Sequence, residues 1–160
     1  MMKKILLLPA ISILIFCAPT FADFAMGLDA AQRGDYATAM KEWKPLAEQG
    51  DSSAQYNLGL MYANGQGVIQ DYNAAVNWYK LSAEQGDVYA QTNLGLMYSK
   101  GSGVTQDYTR AYMWSNIAAL GGNETAMENR YIYAKSISYL QVEQARTLAE
   151  ACVSKKYKRY

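Results

Sequence analysis

Apolar side chains recur at helical spacing on either side of a glycine-rich link in the middle of the chain. In residues 54–62 they fall on one helical face, at Ala54, Leu58, Met61 and Tyr62. Gly65 and Gly67 follow, as expected where a helix ends, and Asp71 is placed to cap a second helix, whose apolar positions run from Tyr72 to Ala83 and which Gly86 ends. The pattern therefore predicts a helix–turn–helix unit.

This unit is present twice. Residues 51–86 and 87–122 align without a gap, and 19 of the 36 paired positions are identical. The flanking residues 23–50 and 123–154 are degenerate copies, and Ser138 is placed to cap the last helix. We therefore predict an all-α fold of four helix pairs, which exceeds the roughly three repeats that a solenoid needs for stability.

Gly59 and Gly95 lie inside the first helix of their helix pairs; we call these the first helices and their partners the second helices. Glycine in a helix interior costs about 1 kcal/mol relative to alanine. A cost that is repeated at the same position predicts close packing of the neighbouring helix. The aromatic residues of each unit could form a ligand-binding box, but their helical spacing favours an inter-helix core. They are Tyr62, Trp78, Tyr98 and Trp114.

The N-terminus has the pattern of a secretory signal peptide. Lys3 and Lys4 precede 13 uncharged residues, and small residues stand at Thr20 and Ala22. The apolar run is shorter than the ~20 residues needed to cross a bilayer. We therefore predict a signal peptide over residues 1–22, cleavage after Ala22, and a mature protein that is periplasmic or secreted and has no integral membrane span.

Composition removes several kinds of catalytic site. The chain has no histidine, which excludes imidazole acid–base catalysis and histidine-ligated zinc. Cleavage would also remove Cys17, so Cys152 cannot form an intramolecular disulfide, and we predict that it is buried. The formal net charge of +1 gives no indication of nucleic-acid binding.

The C-terminal segment 155–160 is basic, with four cations in six residues, whereas residues 23–154 hold 9 basic and 14 acidic residues, a formal charge of −5. The simpler interpretation is a solvated helix end whose cations suit the helix dipole. The alternative is weak electrostatic contact with anionic lipid or with an acidic partner.

The central units resemble a known family. The residues of 51–122 that carry the resemblance are the A-x-A-Q-Y-N-L-G-x-M-Y segment, the Gly-x-Gly link, the Asp-Tyr cap and the W-Y pair, and together they resemble Sel1-like repeats, 36-residue relatives of tetratricopeptide repeats. The resemblance implies a right-handed α-solenoid that acts as a protein–protein adaptor in the bacterial cell envelope, without catalysis, metal or cofactor.

Two alternatives remain open at the level of sequence. Cysteine-rich relatives carry a β-lactamase-type annotation, but this chain has neither a cysteine pair in each repeat nor a Ser-x-x-Lys motif, which leaves a cell-wall hydrolase without an evident nucleophile. A structural subunit of an envelope assembly is the other alternative.

The resemblance also implies that first helices line a concave groove, where a partner peptide or helix would bind. Transferred position by position, the candidate partner-binding residues are Ser53, Tyr56, Leu60, Ala63, Tyr89, Thr92, Leu96, Ser99, Glu128 and Ile132, with Thr125 and Lys135 at the margins of the last unit.

Overall fold

In a computed structural model, the backbone is described for residues 21–156 and the side chains from Phe24 onwards. This part of the chain contains eight helices and no strand. They are α1 Phe21–Gln32, α2 Tyr36–Glu48, α3 Ser52–Asn64, α4 Tyr72–Ala83, α5 Val88–Lys100, α6 Tyr108–Leu120, α7 Glu124–Ala134 and α8 Tyr139–Ser154. The predicted signal peptide lies outside the described residues except for 21 and 22, and 157–160 of the basic tail also lie outside them.

Short polar side chains define where the helices begin. Asp51 accepts a hydrogen bond from the Ala54 amide at 2.7 Å, and Asp87 accepts one from the Ala90 amide at 2.8 Å. Asp71, as predicted, caps α4. The predicted caps Asp107 and Ser138 are confirmed in the same way for α6 and α8.

The glycine-rich links end the first helices. Gly65 adopts the left-handed conformation at φ 67° and donates its amide to the carbonyl of Met61. Gly101 does the same after α5, at φ 68°. The prediction that the two Gly-x-Gly segments, 65–67 and 101–103, connect helices is confirmed.

Buried glutamines join consecutive units. Gln55 donates from Nε2 to the carbonyl of Ala47 at 3.0 Å, and Gln91 donates to the carbonyl of Ala83 at 3.1 Å. Each bond ties a first helix to the end of the preceding second helix. Helices therefore pack in chain order from α1 to α7, as expected for a solenoid of helix pairs.

The predicted close packing at the two helical glycines is confirmed. A Cβ atom on Gly59 would lie 2.5 Å from ring atoms of Tyr79, and one on Gly95 would lie 2.9 Å from Ser115 Oγ. Trp114 is 2% exposed and belongs to the core. Tyr62 and Tyr98 are partly buried against the core cluster that contains Trp114, and Trp78 is partly buried against the one that contains Trp43. Cys152 is fully buried, as predicted.

The last unit departs from the packing of the central pairs. Helix α7 packs against α6, and α8 also packs against α6 rather than closely against α7. Tyr131 stands at the position that corresponds to Gly59 and Gly95, where those two units have no side chain. Tyr131 is 67% exposed, and the ammonium group of Lys135 lies over its ring.

Candidate functional site

Two of the predicted partner-binding residues touch each other across neighbouring first helices. The rings of Tyr56 on α3 and Tyr89 on α5 have centroids 6.0 Å apart. Tyr56 also lies 6.1 Å from the buried Tyr79 of α4, which anchors the pair to the core. Tyr89 is 60% exposed, so the pair presents an aromatic surface that packs against the core through Tyr79.

Leu60 lies beside a shallow cavity of about 260 Å³ between α1, α2 and α3. Leu28 of α1, Asn57 of α3 and Trp43 of α2 also line it. Leu60 is partly buried, so one side of its side chain packs inward and the other borders this cavity. The cavity thus places Leu60 beside residues of the first unit.

The remaining exposed candidates flank these residues. Ile132 on α7 is 54% exposed, Leu96 on α5 is partly buried, and Ser53 and Glu128 are exposed. We define the first-helix face as the surface formed by the residues predicted for partner binding that keep exposed or partly exposed side chains. It comprises Ser53, Tyr56, Leu60, Tyr89, Leu96, Glu128 and Ile132.

Three predicted residues offer little surface and are removed from the candidate site. Ala63, Thr92 and Ser99 are 8%, 9% and 7% exposed. Thr92 donates its hydroxyl to the carbonyl of Val88, and Ser99 donates to the carbonyl of Leu96, so both hydroxyls bond within α5. Helix α5 contacts both α3 and α7, which leaves fewer of its positions free than the transferred groove pattern implies.

Comparison with protein-family models gives two consecutive matches to the Sel1 repeat, over residues 52–87 and 88–123. Residues 52–123 are therefore two Sel1 repeats. The matched segments contain α3 to α6, the helices whose links and glycines are described above.

Solved structures support the same fold. The chain is similar to a protective antigen present in uropathogenic Escherichia coli strains that displays an SLR fold, with 30% identity and a TM-score of 0.80 over 85% of this chain. It is also similar to a Sel1 repeat protein from Oxalobacter formigenes, with 37% identity and a TM-score of 0.62 over 67% of this chain. The chain spans 31% and 32% of the length of these two proteins. No curated protein matches it.

The Sel1 repeats and their flanks share an apolar row that sequence reasoning found only in part. Leu28, Leu60, Leu96 and Ile132 occupy the same position on α1, α3, α5 and α7. Leu28 is 42% exposed and was not predicted. Its signal was present, because α1 aligns with the first Sel1 repeat once the shorter connection between α1 and α2 is allowed for. Equivalent positions are 32 residues apart there and 36 residues apart in the later units.

Burial shifts the protonation of several groups in and beside the Sel1 repeats toward the neutral form. It raises the pKa of Tyr56, with a further contribution from the charge of Asp87, and burial likewise raises the pKa of Tyr79. Burial raises the pKa of the Cys152 thiol to about 11, so this cysteine is not activated as a nucleophile.

The part of the chain with described side chains contains no group of three or more acidic, cysteine or histidine side chains that could hold a metal ion. Within residues 21–156, no helix is long and apolar enough to span a bilayer.

Proposed function

We propose that this chain is a non-catalytic scaffold that binds a segment of another protein along the first-helix face. The apolar row supports the proposal, because it places one aliphatic side chain on each of four consecutive first helices. Its two ends, Leu28 and Ile132, are 42% and 54% exposed. Sel1 repeats commonly mediate protein–protein interaction.

The chemistry of this face favours an extended peptide or an amphipathic helix as its occupant. The aliphatic row supplies regularly spaced apolar contacts, and Tyr89 adds rigid aromatic area with a polar hydroxyl. Ser53 and Glu128 give the margin polar groups that can bond to a partner's backbone.

The proposed setting is the bacterial cell envelope, in the periplasm or outside the cell. The charged, apolar and small-residue pattern of residues 1–22 supports export. Amino-terminal sequencing of protein from a periplasmic fraction tests this part separately. We expect a first residue of Asp23, and recovery of the uncleaved chain in the cytoplasm would contradict it.

Site-specific photo-crosslinking tests the binding surface. A photoreactive phenylalanine analogue replaces Tyr89 or Ile132 in the full-length chain, and crosslinked partners are identified by mass spectrometry. Leu81 of α4 is the matched control, because it is an apolar residue of a second helix and is 45% exposed.

We expect the same partner from positions 89 and 132 and no such product from position 81. The variant Tyr89→Ser, with Leu81→Ser as its control, then tests binding to the purified partner. Equal crosslinking from all three positions, or crosslinking from position 81 alone, would contradict a site on the first-helix face.

A further inference from the structure

A second cavity, of about 480 Å³, opens between α6, α7 and α8, where the last unit departs from the repeat packing. One wall is apolar and includes Leu120 and Val153, which are 72% and 41% exposed. Arg130 of α7 and Arg146 of α8 line the same cavity. None of these residues belongs to the first-helix face.

Arg130 is partly buried and lacks a counter-ion within the described residues. Its Nη1 donates to Oδ1 of Asn116 at 3.1 Å, and no described carboxylate lies within 4.0 Å of its guanidinium. A guanidinium has five N–H donors, and a half-buried charge without an opposite charge is costly. The position therefore favours an anionic ligand.

Arg146 is held in place by two neighbours. Its Nε donates to the hydroxyl of Tyr112 at 3.3 Å, and its Nη1 donates to Oε1 of Glu143 at 2.8 Å. These bonds fix the guanidinium at the cavity wall, and Glu143 balances its charge, so the arginine without a counter-ion among the described residues is Arg130.

Four cations and two carboxylates lie in or beside the cavity, which are Arg130, Arg146, Lys155 and Lys156 against Glu143 and Glu150. Glu150 also lines it but forms no ion pair with either arginine in the described part of the chain. Lys155 and Lys156 come directly after Ser154, another lining residue, so two more cations stand at the end of α8. A ligand with a negative charge is thus matched by the cavity and by its rim.

We propose that this cavity binds an acidic segment of a partner protein, with an aspartate or glutamate carboxylate at Arg130 and an adjacent apolar side chain against Leu120 and Val153. Arginine binds carboxylates through paired hydrogen bonds, which suits this arrangement. A recessed charge beside an apolar wall matches a peptide side chain better than a flat bilayer surface. The site is separate from the first-helix face, and neither proposal depends on the other.

A peptide array of paired sequences tests the proposal with the purified full-length chain. Each twelve-residue peptide carries aspartate or glutamate beside leucine, valine or phenylalanine, and its partner peptide has asparagine or glutamine instead. The pair with the largest difference is then measured by fluorescence anisotropy. Vesicles of phosphatidylcholine with and without phosphatidylglycerol form a parallel arm.

We expect the acidic peptide to bind at least tenfold more tightly than its amide counterpart, and Arg130→Gln to remove that preference. Leu120→Ser should weaken binding of both peptides. Arg33→Gln is the matched control, because Arg33 is exposed and pairs with Asp29 at the other end of the molecule. Thermal melting by circular dichroism verifies that each variant folds.

Three outcomes would overturn the proposal. They are an array in which no acidic peptide exceeds its amide partner, a preference that survives Arg130→Gln, and binding to phosphatidylglycerol vesicles that requires Arg130 while the peptides fail. The last outcome would assign the cavity to lipid headgroups instead.

Discussion

Replacing Gly59 with alanine should improve helix propensity but create a steric clash in the core. We expect the clash to be the larger effect, so that the free energy of unfolding falls. The new Cβ would lie 2.5 Å from Cδ1 and Cε1 of Tyr79, a contact that real Cβ atoms do not make, so the ring has to move. Tyr79 is 1% exposed and packs against Tyr56, so it has little room to do so.

The two effects have opposite signs and different sizes. Alanine gains about 1 kcal/mol over glycine in a helix interior. Overpacking a core costs typically about 1–3 kcal/mol, and displacement of a fully buried ring lies near the top of this range. We therefore expect Gly59→Ala to lower the free energy of unfolding by about 2 kcal/mol, which corresponds to a fall in Tm of about 4–8 °C for a chain of this size.

Urea unfolding followed by circular dichroism at 222 nm measures the change. Asn77→Ala on the exposed face of α4 is the control for propensity alone, and we expect it to be stabilising by a few tenths of a kcal/mol. A double-mutant cycle with Tyr79→Leu identifies the clashing partner, because the cost of Gly59→Ala should disappear once the ring is gone. A variant as stable as the parent, or an equal loss in the Tyr79→Leu background, would refute the reasoning.

Three other expectations concern single groups. Ser115 Oγ is buried without a hydrogen-bond partner among the described residues, so Ser115→Ala should leave the stability unchanged or raise it by up to about 1 kcal/mol in urea unfolding. Hydrogen bonds from Thr38 lower the pKa of the Asp35 carboxyl below its ordinary value of 3.8, so its contribution to stability is present above pH 3.8 and is lost as the pH falls through the lowered pKa. The carboxyl resonance of Asp35 should therefore titrate below 3.8, and Asp35→Asn should reduce the acid dependence of unfolding. Burial raises the pKa of Cys152 from 9.0 to about 11, so the unfolded chain ionises first and stability should fall as the pH rises above 9.0. At neutral pH a disulfide reagent should modify Cys152 only at the rate of unfolding, and rapid modification of the native chain would contradict this.

Local features of the fold could be predicted because each depends on a few adjacent residues. The caps Asp71, Asp107 and Ser138 are side chains that satisfy amides two or three positions later, so sequence alone locates them. Helix α7 begins at Glu124, the residue that aligns with Ser52 and Val88, where α3 and α5 begin. Repetition of the unit supplies the order in which the helices pack.

The candidate site was predicted less completely, because burial depends on how many neighbours a helix has. The transferred groove pattern treats every first helix alike, yet α5 contacts first helices on both sides and α1 contacts none before it within the described residues. Thr92 and Ser99 are therefore buried on α5, whereas Leu28 on α1 is exposed. A sequence pattern indicates which face of a helix a residue lies on, but not which neighbouring helices bury that face.

The helix α8 departs from the repeat packing in the one unit whose first helix lacks the repeated glycine. In the first three units a glycine of the first helix faces position eight of the second helix, which is Trp43, Tyr79 and then Ser115. In the fourth unit Tyr131 stands in place of the glycine, and α8 packs on α6 rather than closely against α7. The cavity beside Arg130 lies between these three helices. The loss of the glycine, the altered position of α8 and the cavity that we propose as a second binding site therefore occur together in one unit.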